Sequence, residues 1–81
     1  MIVTVRLFAR AKDLAGAGNV SIELPAGATV RELKRRLAVE HPELNSLLER
    51  SALAVDNEFA GDAVVVQPGA EIALLPPVSG G

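Results

Sequence analysis

The sequence predicts one α+β domain, a mixed sheet of about five strands packed on one main helix. Three observations predict it. Short segments alternate hydrophobic with polar residues, and one longer stretch repeats its hydrophobic residues at helical spacing. Hydrophobic residues make up 49 % of the 81 but aromatics only 2 %, so the core must be built from Val, Leu, Ile and Ala. A chain of this length supports one core and no second domain.

Residues 2–8 set Val3, Val5 and Leu7 against Thr4 and Arg6, the two-residue period of a strand with one buried face. Residues 9–14 are too short to predict a helix, and Gly16 and Gly18 break the chain. Val20, Ile22 and Leu24 then alternate with Ser21 and Glu23, so the first two strands form a wide hairpin. Pro25-Ala26-Gly27 is a turn. Thr29 and Glu32 have the spacing of a capping box, which starts a helix at Val30. Val30, Leu33 and Leu37 recur at i, i+3 and i+7 and place one apolar stripe against the sheet. Arg31, Lys34 and Arg35 then face water, and His41-Pro42 ends the helix.

Residues 43–50, with Leu44, Leu47 and Leu48, suggest a further helical turn or two. Residues 53–59 read as a strand that Asp56-Asn57 interrupts with a turn or bulge, and residues 63–66 as a short strand. Gln67-Pro68-Gly69-Ala70 has Pro and Gly where a type II turn requires them, before a last strand over residues 71–75. The predicted order is β-β-α-β-β-β, with residues 1–75 the domain and 76–81 an extended tail.

The composition excludes several functions. A net charge of −2 lacks the basic stripe that phosphate binding needs, so nucleic acid is not an expected partner. Without cysteine there is no disulfide, thiolate chemistry or cysteine-held metal site. No apolar run approaches a membrane span or a signal segment, which predicts a cytosolic protein with no membrane contact. His41 is the sole histidine and reads as a solvated residue at a helix end. Asp and Glu show no acid–base pairing, and Gly16-Ala17-Gly18 lacks the rest of a phosphate-binding fingerprint. Arg31, Lys34, Arg35 and Arg36 read as the wet face of a helix, with an acidic partner as the alternative. The chain is not expected to catalyse by itself, to hold a metal or to bind a cofactor.

What remains is Pro76-Pro77-Val78-Ser79-Gly80-Gly81. Two prolines fix φ and remove donors, so the chain must leave the last strand and run extended. Glycine has no Cβ, so Gly80 and Gly81 can enter a slot too narrow for other residues. Six extended residues reach about 20 Å, deep enough to enter a partner's active site. The Gly81 carboxylate is a poor electrophile until a partner enzyme using ATP converts it to an acyl-adenylate. Attack by sulfide or a persulfide would then give a thiocarboxylate, and attack by an amine an amide.

The residues that carry a family resemblance span nearly the whole chain. They are Leu7-Phe8-Ala9 with Lys12-Asp13-Leu14 and Gly16, then Ala28-Thr29-Val30-Arg31-Glu32-Leu33, then Leu53-Ala54-Val55-Asp56-Asn57-Glu58-Phe59, and the ending from Pro68 to Gly81. The sequence resembles the small subunits of molybdopterin synthase, ubiquitin-like sulfur carriers with a β-grasp fold. The ending is the most specific part.

The resemblance implies that Gly81 is adenylated by an E1-like adenylyltransferase, receives sulfur from a donor protein and becomes a thiocarboxylate. The tail Pro76, Pro77, Val78, Ser79 and Gly80 would then enter the large catalytic subunit of a heterotetramer, where sulfur passes to cyclic pyranopterin monophosphate in molybdenum cofactor biosynthesis. Phe8, Lys12, Phe59 and Leu75 would meet partners, although Phe59 reads equally well as core. The family commonly has Arg-Glu at Lys12-Asp13, Asn at Asp56 and Asp at Ala70. Two rival readings use the same activation: a carrier for thiamine, cysteine or tRNA thiolation, and a ubiquitin-like modifier joined to lysines through Gly81. A third is an interaction module with an inert tail.

Overall fold

The computed structural model describes residues 1–76. Strand β1 (Ile2–Leu7) leads into helix α1 (Ala9–Ala15) and strand β2 (Asn19–Glu23), followed by the main helix α2 (Val30–Glu40). A 3-10 turn (Pro42–Leu44) and helix α3 (Asn45–Leu48) precede strands β3 (Ala52–Val55), β4 (Glu58–Ala60) and β5 (Ile72–Leu75). The sheet order is β2-β1-β5-β3-β4. Only the central pair β1–β5 is parallel; the other neighbours are antiparallel.

One face of this sheet holds the core. Val3, Val5, Leu7, Ile22, Leu53, Ile72 and Leu74 are buried there, and Val30, Leu33 and Leu37 of α2 have no exposed surface at all. The helical stripe read from the sequence is therefore the stripe that packs. Its caps are only partly those expected. Thr29 Oγ1 accepts a long 3.5 Å bond from the Glu32 amide, while the amides of Val30 and Arg31 donate to the carbonyls of Val64 and Asp62. Helix termini leave such donors orphaned unless another segment meets them.

That segment corrects the reading of residues 63–66. They form no strand but cross the start of α2, with a single bridge between Thr29 and Val65 and a bond from the Val66 amide to the Ala28 carbonyl. Val64 and Val65 are half-exposed, so alternation there was weak. Asp62 in the same segment takes a 2.9 Å bond from Lys34 Nζ and lies 4.0 Å from Arg31 Nε. The Lys34 hydrogen bond, then the Coulomb attraction of Lys34 and Arg31, hold the Asp62 carboxyl below its ordinary range. A carboxylate with a depressed folded pKa contributes stability above its unfolded pKa of about 3.9 and loses it as pH falls through the folded value. Urea midpoints of the unaltered chain should therefore fall below about pH 4, and Asp62→Asn should flatten part of that decline. Identical pH profiles for the two would contradict this.

Two further corrections concern turns. Residues 53–59 are a hairpin of two strands. Asp56 and Asn57 have φ of +50° and +69°, the backbone of a two-residue type I′ turn that favours Asn and Asp. The polar pair marked the turn, and the strand resumes beyond it as β4. Residues 9–15 form the helix α1 that the sequence was too short to predict. Gly16, at φ +71°, ends it by donating a backbone hydrogen bond to the Lys12 carbonyl, and Ala11 is wholly buried against the core. The expected type II turn is present: Gly69 has φ +80° and the Ala70 amide bonds the Gln67 carbonyl at 3.2 Å.

Asp56 also fastens the hairpin to β5. Its amide donates to the Glu71 carbonyl at 2.8 Å, and its Oδ1 accepts from the Glu71 amide at 2.9 Å. Asp56→Ala removes the second bond at the root of the central strand. It should cost about 1–2 kcal/mol in chemical denaturation, whereas Asp56→Asn should cost less. Equal losses for the two would show that the side-chain bond contributes nothing.

Candidate functional site: the outer face of the sheet

The face opposite the helix is built by the same alternation. Arg6, Ala73, Ala54 and Phe59 stand in one row across four strands, Arg6 opposite Ala73, Ala73 opposite Ala54 and Ala54 opposite Phe59. The two alanines make a low floor, and the larger side chains at either end make walls. Phe8, Leu75, Ile72, Asn57 and Glu71 complete the lining of a shallow groove of about 260 Å³. That is below the roughly 300 Å³ at which small-molecule pockets begin, so the groove suits side chains of a partner surface better than a ligand.

Phe59 is 78 % exposed and Phe8 38 %. The reading of Phe59 as core is thereby set aside. Phe8 follows the end of β1, and Ala9 turns the chain there with φ +52°, a left-handed conformation that costs a non-glycine residue about 1–2 kcal/mol. The turn sends the chain into α1 and leaves Phe8 on the outer face. The Arg6 guanidinium lies over the Phe8 ring, 5.4 Å from its centroid. In the sequence Arg6 is only a polar position of an alternating strand. What marks it is its register: Arg6 and Phe8 share one face, and both line the groove.

Leu75, half-buried, closes β5 and lines the groove, and Pro76 follows it. The strand that leads to the tail therefore emerges from the middle of the sheet, beside the groove. Lys12 is exposed on α1 and does not line the groove, so it stands apart from Phe8, Phe59 and Leu75. Pro77, Val78, Ser79, Gly80 and Gly81 lie outside the described residues. His41 is half-buried at the end of α2, with Nδ1 3.2 Å from Glu43 Oε2. Among the described residues no group of His, Asp and Glu could hold a metal ion, and no helix is long and apolar enough to cross a membrane.

Comparison with known proteins gives the following. A profile described as the ThiS family matches residues 5–81. The chain is 34 % identical over 79 residues to a molybdopterin synthase sulfur carrier subunit of Arabidopsis thaliana, covering 98 % of this chain and 82 % of the relative. Among solved structures it is similar to the small archaeal modifier protein 1 of Haloferax volcanii, with TM-score 0.89, 30 % identity and full coverage of both chains. It is also similar to a chain in the complex of subunits 1 and 2 of molybdopterin-converting factor from Helicobacter pylori, with TM-score 0.71, 29 % identity and full coverage of both. The sheet order and the helix against its inner face are those of the ubiquitin-like β-grasp fold.

Proposed function

Because the chain belongs to the ThiS family and is related along nearly its whole length to molybdopterin synthase sulfur carrier subunits, we propose that it is the sulfur carrier of a molybdopterin synthase, with Gly81 as its reacting residue. The observation that carries this reading is the placement of the Leu75–Pro76 exit beside the groove between Phe8 and Phe59. A partner seated on that groove stands at the root of the tail and can receive Gly81 in its own active site. The carrier supplies the acyl group and the address, and the partners supply catalysis.

The chemistry follows from the carboxylate. A Gly81 oxygen attacks the α-phosphorus of ATP held by an E1-like adenylyltransferase, and pyrophosphate leaves. The outer sulfur of a donor protein's persulfide attacks the acyl carbonyl and AMP leaves; a second thiol then attacks the donor sulfur of the resulting acyl disulfide, which frees the thiocarboxylate and leaves a disulfide on the donor. The loaded tail then enters the large subunit of the synthase, with two carriers on a large-subunit dimer, and passes sulfur to cyclic pyranopterin monophosphate. Two such transfers make a dithiolene. ATP belongs to the activating enzyme, and the carrier itself needs no bound cofactor and no metal. A cytosolic location is part of the same proposal.

One comparison favours a second reading. A relative that is 32 % identical over 84 residues is named small archaeal modifier protein 1, and an activated Gly81 would equally be attacked by a lysine amine. Intact mass spectrometry of the chain after incubation with ATP, its activating enzyme and a sulfur source separates them. Sulfur in place of oxygen at Gly81 supports the carrier, isopeptide adducts support the modifier, and an unchanged mass opposes both. A carrier for thiamine, cysteine or tRNA thiolation would give the first result but no transfer to the pterin.

Phe59 offers a further check on the groove. Phe59→Ala should weaken binding to the large subunit by about 30-fold, the loss of an aromatic anchor, with the melting temperature unchanged. An unaltered affinity would move the docking face elsewhere.

A further inference from the structure

On the reading that the groove is the docking face, we infer that the partner presents a carboxylate to Arg6, which makes an acidic side chain at the Arg6 end of the groove a condition for docking. Arg6 stands between two depressions of the outer face. It lines the groove with Phe8 and Phe59, and it lines a second one with Ile2, Thr4, Gly69 and Glu71. A partner wide enough to cover both Phe8 and Phe59 therefore covers Arg6 as well.

Arg6 makes no ion pair among the described residues, whose pairs are Arg31 and Lys34 with Asp62 and His41 with Glu43. Glu71 shares both linings with Arg6, yet it forms no ion pair with the guanidinium. Arg6 is exposed in the free chain, within reach of water. When a partner excludes that water, an unpaired guanidinium opposes binding strongly, because a buried charge is tolerated only when paired and hydrogen-bonded. The floor beside it is Ala73 and Ala54 and the walls include Phe8, Phe59 and Leu75; the acceptors of the lining are Glu71 and Asn57, and neither pairs with the guanidinium.

The geometry also specifies the anion. Phe8 lies under the guanidinium at 5.4 Å, a cation–π distance, which restricts the side chain before docking and leaves its planar fork to be met at its edge. A carboxylate meets such a fork with two parallel bonds and brings a single charge. A polyanion such as nucleic acid would set further charges against Glu71 and bare apolar walls. The partner is thus a protein whose contact patch is apolar with an Asp or Glu set inside it.

Calorimetric titration of the unaltered chain, Arg6→Ala, Arg6→Met, Arg6→Lys and Phe59→Ala into the purified large subunit, at low and high salt, tests the inference. Arg6→Ala should weaken binding by about 30-fold or more, because the partner's carboxylate is then left buried without its counter-ion. It should also flatten the salt dependence, and Arg6→Lys should recover only part of the loss. Arg6→Met keeps the side-chain stem on the sheet and should match Arg6→Ala, which guards against a loss due to folding. Equal or tighter binding by Arg6→Ala and Arg6→Met, with Phe59→Ala still weak, would overturn the carboxylate while leaving the groove as docking face. Unchanged binding by Phe59→Ala, or no binding by the unaltered chain, would overturn the docking face and this inference with it.

Discussion

Deleting Gly81 is expected to abolish sulfur transfer while the melting temperature stays within about 2–4 °C of the unaltered chain, by the usual insensitivity of stability to changes outside the core, about ±0.5 kcal/mol. Among the described residues the buried hydrophobic ones run from Val3 to Leu74, and the core they make between helix and sheet accounts for the fold. The loss is therefore chemical. On the proposed activation, a chain without Gly81 would place its carboxylate one residue short of the ATP held by the activating enzyme. A displacement of even 1 Å from a near-attack geometry costs about a hundredfold in rate, and one extended residue is about 3.3 Å. Gly81→Ala should act in the same direction through the added Cβ, with a smaller loss. Single-turnover transfer to the pterin, with a thermal melt alongside, measures both. Full transfer by the shortened chain would support an inert tail, and a fall of many degrees would show that the tail packs on the fold.

Leu74→Ala should do the reverse, unfolding the domain rather than blunting its chemistry. Leu74 has no exposed surface and sits in the central strand, opposite Leu7 on one side and Leu53 on the other. Truncating such a residue costs about 2–5 kcal/mol from lost burial and the cavity left behind. Domains of this size hold about 5–15 kcal/mol in all, and each kcal/mol corresponds to about 4–8 °C in melting temperature. A drop of about 10–20 °C or more is expected in far-UV circular dichroism. A shift of only a few degrees would mean that the neighbours close over the gap. Set beside Phe59→Ala, which should leave the melt alone and weaken binding, the pair separates the two faces of one sheet.

That separation was legible in the sequence where periodicity was strong. Val3, Val5 and Leu7 against Thr4 and Arg6 gave the first strand and its buried face, and Val30, Leu33 and Leu37 gave the main helix and the side on which it packs. Misreadings fell where local pattern was short or where a distant segment decided. Residues 9–15 form a seven-residue helix that depends on burying Ala11 and on Gly16 to end it, and neither is visible as a period. Residues 63–66 look like a strand from composition, but the amides at the start of α2 bond the carbonyls of Val64 and the neighbouring Asp62, and the segment makes a single bridge, Thr29 to Val65, in place of a ladder. At the site, Phe8, Phe59 and Leu75 came from a resemblance, and only the register shows that they line one groove. Arg6 was hidden because a polar residue in an alternating strand is the ordinary expectation for its wet face.

The parallel pairing of β1 with β5 has a consequence for how the protein is made. Residues 5–7 must meet residues 72–74, and β5 fills the gap between β1 and β3, so the sheet cannot close until nearly the whole domain has left the ribosome. Contacts between such distant residues carry a large loop-closure cost, and folding is slowed accordingly. A chain that stalls before β5 has an unfilled centre and exposed apolar edges, the kind of species that aggregates or is degraded. Since β5 runs directly into Pro76, the strand that completes the fold is also the one that leads to the residue proposed to react. On the proposed function, an activating enzyme that requires the folded groove would meet Gly81 only on chains whose sheet is already complete.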